Sequence, residues 1–403
     1  MNDTAGFGPL DGLKVLDIAT IIAGPMVATL MADFGADVTK LELPQVGDGL
    51  RAFPPFHEGK PLWWKATNRG KRFGTLDLRV PEGKALFEEH LRRHDVLIEN
   101  FRPGTLAKWG FDTERLWQIN PRLVILRVTA FGQDGPYAQQ PGFARVFEAM
   151  GGLTFLTGDP DRPPIHPGYP IGDVFGGLFG AFSVMAALYR IARDRPETGE
   201  EIDLSITEAV FKINDTFAIE YDQTGNIRRR NGNFAGYTAP SSVYMTRDKQ
   251  FVSLSGSTTR TFHNNARAID RPDLVDEPRY QTNVGRCEAR EELDGIFGSW
   301  FASHSMDEAV EAFYREKGTL APVLSIDRIF ADPQFQARQA IATVPDDDFG
   351  TVRMQNVVPR MRNHPGRIRW SARALGADNE DIYKTGLGLS DDEFEAMKKN
   401  GAI

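Results

Sequence analysis

Apolar and polar positions in the first half of the chain alternate between two periods. Lys14-Val15-Leu16-Asp17-Ile18-Ala19 is a short apolar run with the length of a buried strand. Gly24-Pro25 opens an apolar helix running to about Phe34, with Pro25 where its missing N–H costs nothing, and Gly35 stops it. Residues 36–43 supply the next strand, which completes a βαβ unit and predicts a parallel sheet with helices on its faces. Thr75-Leu76-Asp77-Leu78 reads as a further strand. The helix opened by Pro81-Glu82-Gly83 places Leu86, Phe87 and Leu91 on one face and leads into a strand at 95–99. A helix near 105–117 then precedes an apolar strand at 123–128. The glycines of 176–180 merge into a helical run at 181–192, followed by a strand around 201–205. No GxGxxG motif follows any of these strands, which argues against a dinucleotide-binding dehydrogenase.

From about Gln223 the pattern changes. Gly225, Arg228-Arg229-Arg230, Asn231-Gly232-Asn233 and Gly236 form a polar, turn-rich stretch suited to a linker or binding loop. Apolar alternation at 242–246 and 251–254 flanks Arg247-Asp248-Lys249 as a hairpin, and helical segments continue to about Lys317. A helix with an acidic start follows from about Asp378. The pattern predicts an α/β chain with a large domain at 1–222 and 335–403 and a smaller α+β domain at 223–334.

Composition agrees with two domains, because 403 residues exceed the ~250 at which single cores stop growing. Hydrophobic residues at 41% and charged residues at 25% exclude wholesale disorder. The first six residues lack the cationic start of a secretory signal, and no uninterrupted apolar run has the length of a membrane span. The one cysteine, Cys287, excludes an internal disulfide framework and a Cys-rich metal site, which suits a reducing, cytoplasmic setting. With 47 basic against 55 acidic residues the net charge is −8, so general nucleic-acid binding is not expected. A phosphorylated ligand needs a local basic cluster instead.

The seven histidines are scattered. His90 and His94 are four apart but lie among Glu88, Glu89, Arg92 and Arg93, which reads as a solvated face, so no metal site is expected. GxSxG is absent. Asp173, in Gly172-Asp173-Val174-Phe175-Gly176-Gly177 ahead of a helix, has two compatible readings. It caps free N–H groups, or it stays ionised at the helix N-terminus and attacks a thioester, with the glycines letting a bulky ligand approach. Two basic clusters at strand ends complement it: Asn68-Arg69-Gly70-Lys71-Arg72, and Glu99-Asn100-Phe101-Arg102-Pro103-Gly104 with Lys108 one turn on. Each is equally readable as solvated loop charge.

Taken in order, these segments carry more than any one of them. Leu10-Asp11-Gly12-Leu13-Lys14-Val15-Leu16-Asp17, Ala23-Gly24-Pro25, Gly35-Ala36-Asp37-Val38-Thr39-Lys40-Leu41-Glu42, the two basic clusters, Gly151-Gly152, Gly172-Asp173, Glu197-Thr198-Gly199 and Ala331-Asp332-Pro333-Gln334 together resemble a class III CoA-transferase, the formyl-CoA transferase and carnitine CoA-transferase family. The resemblance runs from Leu10 to Leu387-Gly388-Leu389-Ser390. It implies a Rossmann-like large domain built from both chain ends and a smaller middle domain. It also implies an interlocked homodimer, with the site between one subunit's large domain and its partner's small domain; a hetero-oligomer is the alternative. Coenzyme A or acyl-CoA enters as substrate, with no permanently bound cofactor. Asp173 matches the family nucleophile, which forms an anhydride with the donor acyl group and then an aspartyl-CoA thioester. CoA-contact positions map onto Ile21, Ile22, Asn68, Lys71, Arg72, Asn100, Phe101, Arg102 and Lys108.

Departures from the family pattern bear on the substrate. Ala144 stands where relatives usually carry an acidic residue, and Glu148 where they often carry Gln. Ala144 and Arg145 do not supply the His and Asp pair that the racemase branch needs, which disfavours an acyl-CoA racemase or isomerase. The glycine loop of oxalate-type members has no match; residues 231–236 are a different loop, which argues against formyl and oxalyl substrates. Arg145, or the 228–230 arginines, would suit an acceptor with a second carboxylate, such as succinate or malate. The competing reading of Arg145 is a surface salt bridge with Glu148. A non-catalytic acyl-CoA-binding subunit is the third hypothesis, and the presence of Asp173 argues against it.

Overall fold

The computed structural model describes residues 6–403; residues 1–5, part of the stretch inspected for a targeting signal, lie outside the described residues. The chain divides into two compact units, one of Met1–Leu153, Pro167–Ile219 and Gln334–Ile403, the other of Thr154–His166 and Glu220–Pro333.

The first unit is organised by strands β1 (Lys14–Asp17), β2 (Asp37–Glu42), β3 (Arg72–Thr75), β4 (Val96–Glu99), β5 (Val124–Thr129) and β6 (Glu200–Ser205). They form one sheet in the order β3-β2-β1-β4-β5-β6, and every neighbouring pair is parallel. The chain starts in the middle, works outward through β2 and β3, and returns to β4 on the other side of β1. The order therefore reverses between β1 and β4, the place where open α/β sheets leave a crevice beyond their strand ends.

Side chains alternate across this sheet and load both faces. Val15, Val96, Ile98, Val124 and Leu126 pack with α1 (Ala23–Asp33) and with Val184 and Ala187 of a long helix described below. Leu16, Leu97 and Ile125 face the other way, onto Phe87 and Leu91 of α2 (Pro81–Arg93). Tyr383, Phe394 and Ile403 fill the same side, so the C-terminal residues complete a core begun by the N-terminal ones. The Tyr383 hydroxyl donates to Thr75 O at 2.6 Å.

Three further helices shape the site: α3 (Ala144–Met150), α4 (Ile171–Asp194) and α5 (Ile206–Ile213). By length and composition α4 could cross a membrane, although charged residues interrupt its apolar sequence. Here it packs on α1, and its glycines explain how closely. A Cβ at Gly177 would lie 2.7 Å from Met26 Cγ, and one at Gly180 would lie 2.6 Å from Val27 Cγ2. The glycine-rich start expected to lead into a helix is itself helical, because those glycines are the contact surface.

The second unit holds β7 (Ser241–Met245), β8 (Phe251–Ser255) and β9 (Leu320–Pro322) in an antiparallel sheet ordered β9-β8-β7. Val252, Leu254, Phe262, Phe297, Phe301 and Phe313 form its core.

Three local expectations change. The strand read at 75–78 lies earlier, at β3, because it must pair with Thr39–Glu42 of β2. The helix read across 105–117 is two, Thr105–Lys108 and Thr113–Ile119, parted at Gly110, whose φ of 99° leaves the helical region, and restarted by Asp112 capping Arg115 N. His90 and His94 are buried rather than solvated, at 2% and 7% exposure. Burial pushes both imidazoles down, His94 to about 4, so both are neutral core groups. Among the described residues no three potential metal ligands converge.

Candidate active site

The crevice beyond β1 and β4 holds two adjoining cavities that share Thr20 and Phe101. Its floor is the β1–α1 loop, which three interactions fix. The Thr20 N–H donates to Asn100 Oδ1 at 2.8 Å, and Asn100 Nδ2 returns a bond to Thr20 O at 2.7 Å. The Ile21 N–H donates to the Asp48 carboxylate at 2.9 and 3.2 Å. Ile21 itself has φ 69°, a left-handed conformation that costs a β-branched residue about 1–2 kcal/mol and persists only where its surroundings over-determine it.

A buried ionic network supplies that constraint. Lys40 Nζ bonds Ala19 O at 2.6 Å and lies 3.2 Å from Asp48 and 3.7 Å from Asp17. Burial alone would lower Lys40, but Asp17, Asp48 and Glu42 outweigh it and raise its proton affinity. Lys71 Nζ reaches Asp17 Oδ2 at 2.8 Å, Pro25 O at 2.8 Å and Asn68 Oδ1 at 2.7 Å. Burial lowers Lys71 to about 8 against the pull of Asp17.

This geometry revises the first basic cluster. Asn68 and Lys71 have no exposed surface, and all three Lys71 ammonium protons are engaged from beneath the loop. Arg72 pairs with Asp37 and Asp381, at the N-terminal end of the sheet rather than the crevice end. The three expected CoA contacts are therefore bracing residues in this structure. In sequence a buried charge network and a phosphate cluster look alike, because both present Lys and Arg beside a strand.

Part of the second cluster borders the crevice. Asn100, Phe101 and Arg102 line the cavity of about 250 Å³ together with Ile21, Ile22 and Asp173. Lys108 is exposed on its short helix and lines neither cavity. The other cavity, about 290 Å³, has apolar walls from Leu43, Leu76, Leu78, Phe101 and Trp109 and one arginine, Arg79. Phe101 and Trp109 meet edge to face at 5.1 Å. Arg79 and Leu76–Leu78 were not singled out in the sequence, although an arginine following an apolar strand end was a readable signal; Arg79 pairs with Asp77 at 2.7 and 2.8 Å while its side chain stays 59% exposed at the cavity. Apolar and aromatic walls with a cation at the margin suit a nucleotide-like group.

Asp173 stands in the first turn of α4, not at its cap, which is Pro170. Its surroundings work against the ionised form expected at a helix N-terminus. Burial first, then repulsion from Glu148, raises Asp173 to about 7, against hydrogen bonds from the Ala23 N–H and its own N–H. Tyr169 also faces it; burial and the Asp173 charge raise the phenol above its ordinary value. Glu148 is 1% exposed and accepts the Gly172 N–H at 3.0 Å, so it is inward-facing and unsuited to the surface pair once expected with exposed Arg145. Of the 228–230 arginines, Arg228 pairs with Glu220, and Arg230 donates to the carbonyls of Phe155 and Asp159 within the second unit.

A half-buried carboxylate at a helix start, beside a backbone N–H and adjoining an apolar cavity, can attack an activated acyl carbon. Comparisons with known proteins identify the family. CoA-transferase family III matches residues 10–379. The chain is 38% identical to succinyl-CoA–D-citramalate CoA-transferase of Chloroflexus aurantiacus over 98% of each protein. It is 37% identical to the beta subunit of succinyl-CoA–L-malate CoA-transferase of the same organism over 100% of each. A crystal structure of a CAIB/BAIF family protein from Brucella suis superposes with a TM-score of 0.82 at 31% identity, covering 94% of this chain and 99% of that one. The chain belongs to CoA-transferase family III, a family of transferases.

Proposed function

We propose that this protein moves CoA from an acyl-CoA donor, succinyl-CoA foremost, to a dicarboxylic acid acceptor through covalent intermediates on Asp173. The observation that carries the reading is the placement of Asp173 in the β1–β4 crevice with the Ala23 N–H on its carboxylate. The succinyl-CoA donors and hydroxydicarboxylate acceptors in the names of both Chloroflexus relatives support the choice of substrates. The adenine end of CoA is assigned to the apolar cavity, with Arg79 as its phosphate partner and the thioester directed past Phe101 to Asp173.

The steps balance without a co-reactant. An ionised Asp173 oxygen adds to the thioester carbonyl carbon and CoA leaves as thiolate, giving a mixed anhydride. The thiolate attacks the aspartyl carbonyl of that anhydride, forming aspartyl-CoA thioester and releasing the donor acid. The acceptor carboxylate attacks that thioester and expels thiolate again. The thiolate then attacks the acceptor acyl carbon and frees Asp173. The Ala23 N–H at the start of α1, which already bonds the Asp173 carboxylate, is the backbone donor assigned to the oxyanion formed there.

The doubly wound strand order supports the Rossmann-like reading, and the two compact units are assigned as the large and small domains, with residues 154–166 joining the small one. A homodimer is the proposed assembly. Leu178, Phe182, Met185 and Tyr189 form an exposed apolar stripe on one face of α4, which suits a second copy. A hetero-oligomer is the alternative, since one relative is named as a beta subunit. A cytoplasmic location remains part of the proposal. Arg145, exposed on α3, is assigned to the distal carboxylate of the acceptor.

The test is intact-protein mass spectrometry after mixing with succinyl-CoA, beside Asp173→Asn. A CoA-sized adduct on the native protein and none on the variant is expected. No adduct despite tight acyl-CoA binding would overturn the route. Arg145→Ala should slow transfer to dicarboxylates more than to monocarboxylates; equal loss removes the Arg145 assignment.

A further inference from the structure

The start of α4 poses a problem that Glu148 solves. Helices begin with unpaired N–H groups that a capping side chain normally satisfies, but Pro170 at the N-cap has no side-chain donor or acceptor to offer. Glu148 reaches across from α3 and accepts the Gly172 N–H at 3.0 Å. The approach is close, because a Cβ on Gly172 would sit 2.6 Å from the Phe147 ring and 3.2 Å from Glu148 Cγ. With the Gly172 N–H satisfied from another helix, Asp173 takes only its own N–H from that turn and still borders the cavity.

We propose that Glu148 is a positioning residue for Asp173: it caps the nucleophile's helix turn and faces the nucleophile as a second anion, setting both its aim and its reactivity. This rests on the reading of Asp173 as the nucleophile. The groups facing Asp173 are Glu148 from α3, Tyr169 from the segment before α4, and the Ala23 N–H from the start of α1; Arg102 lines the same cavity from beyond β4. Glu148 is the charged group among them that opposes ionisation, after burial itself. Repulsion between the two carboxylates is relieved when negative charge leaves Asp173 for the acyl carbon. The cost of holding two anions together is thereby removed as the anhydride forms.

Glu148→Gln separates the two roles, since the amide oxygen still accepts the Gly172 N–H while the charge is gone. Single-turnover formation of the aspartyl-CoA adduct is followed from pH 5 to 9 in both proteins. The acid limb of the variant is expected to move down by about one pH unit, giving roughly five-fold faster adduct formation at pH 6. At pH 9 the variant should be slower, because a less basic carboxylate is a weaker nucleophile. A merely structural role would lower the rate at every pH. Coincident acid limbs would overturn the proposal. Absence of adduct in the native protein at every pH would instead overturn the reading of Asp173. If Glu148→Gln melts below the assay temperature, infrared titration of the Asp173 carboxyl in both proteins in the cold, by difference from the Asp173→Asn forms, decides. A lower midpoint in Glu148→Gln than in the native protein upholds the proposal and equal midpoints overturn it.

Discussion

Replacing Asp173 with Asn should abolish transfer and, at the same time, stabilise the protein in a pH-dependent way. The folded carboxyl holds its proton up to about 7, against 3.8 as its ordinary value. Between those values the folded state binds the extra proton, so the native protein loses stability as pH rises through the window, and above the folded value the loss is complete. At 1.36 kcal/mol per pH unit the full window amounts to about 4 kcal/mol, of which roughly 1.6 has already accrued by pH 5. Asp173 borders an open cavity, and solvent screening there reduces the effect. We therefore expect the stability gap between Asp173→Asn and the native protein to widen by about 2 kcal/mol from pH 5 to pH 8. For a chain of this size that corresponds to about 4 °C in melting temperature. Parallel thermal melts by circular dichroism at both pH values read it directly, since every other titrating group cancels to first order. A gap that stays constant, or one that narrows as pH rises, would refute the account of Asp173 as a carboxylate held in an unfavourable site.

Two further substitutions probe the supports around it. Gly172→Ala places a methyl group against the rigid Phe147 ring and pushes α3 from α4; we expect about 2 kcal/mol of destabilisation by urea denaturation and loss of adduct formation at Asp173. Arg79→Ala should raise the KM for acyl-CoA about ten-fold with kcat nearly unchanged. Arg72→Ala, at the other end of the sheet, should leave KM unchanged; the reverse result would reinstate the first basic cluster as the ligand site.

The split between Arg72 and Arg79 shows where the sequence was legible and where it was not. Short apolar runs such as 14–19 and 95–99 announced the central strands, because strands buried on both faces need near-continuous apolar residues, and those strands define the crevice. Asn100 and Phe101 were readable as site residues because they follow such a strand directly, and Asp173 because it precedes a glycine-rich helix start. Lys71 and Arg72 occupy an equivalent sequence context, yet Lys71 is consumed by Asp17 and Arg72 by Asp37. Those carboxylates lie 54 and 35 residues away in the chain, and only the parallel pairing of β3 with β2 and β2 with β1 brings them near. Arg79 is paired too, with Asp77, but its side chain stays 59% exposed at the cavity, so local sequence reports which charges are present but not which are enclosed. Glu148 is the same lesson in reverse. Three residues after exposed Arg145, it suggested a surface ion pair, but α3 turns it inward, onto a helix whose own cap residue is proline. Its influence on Asp173 arises from packing between segments 24 residues apart, so the acidity of Asp173 is a property of the fold rather than of the Gly172-Asp173 motif.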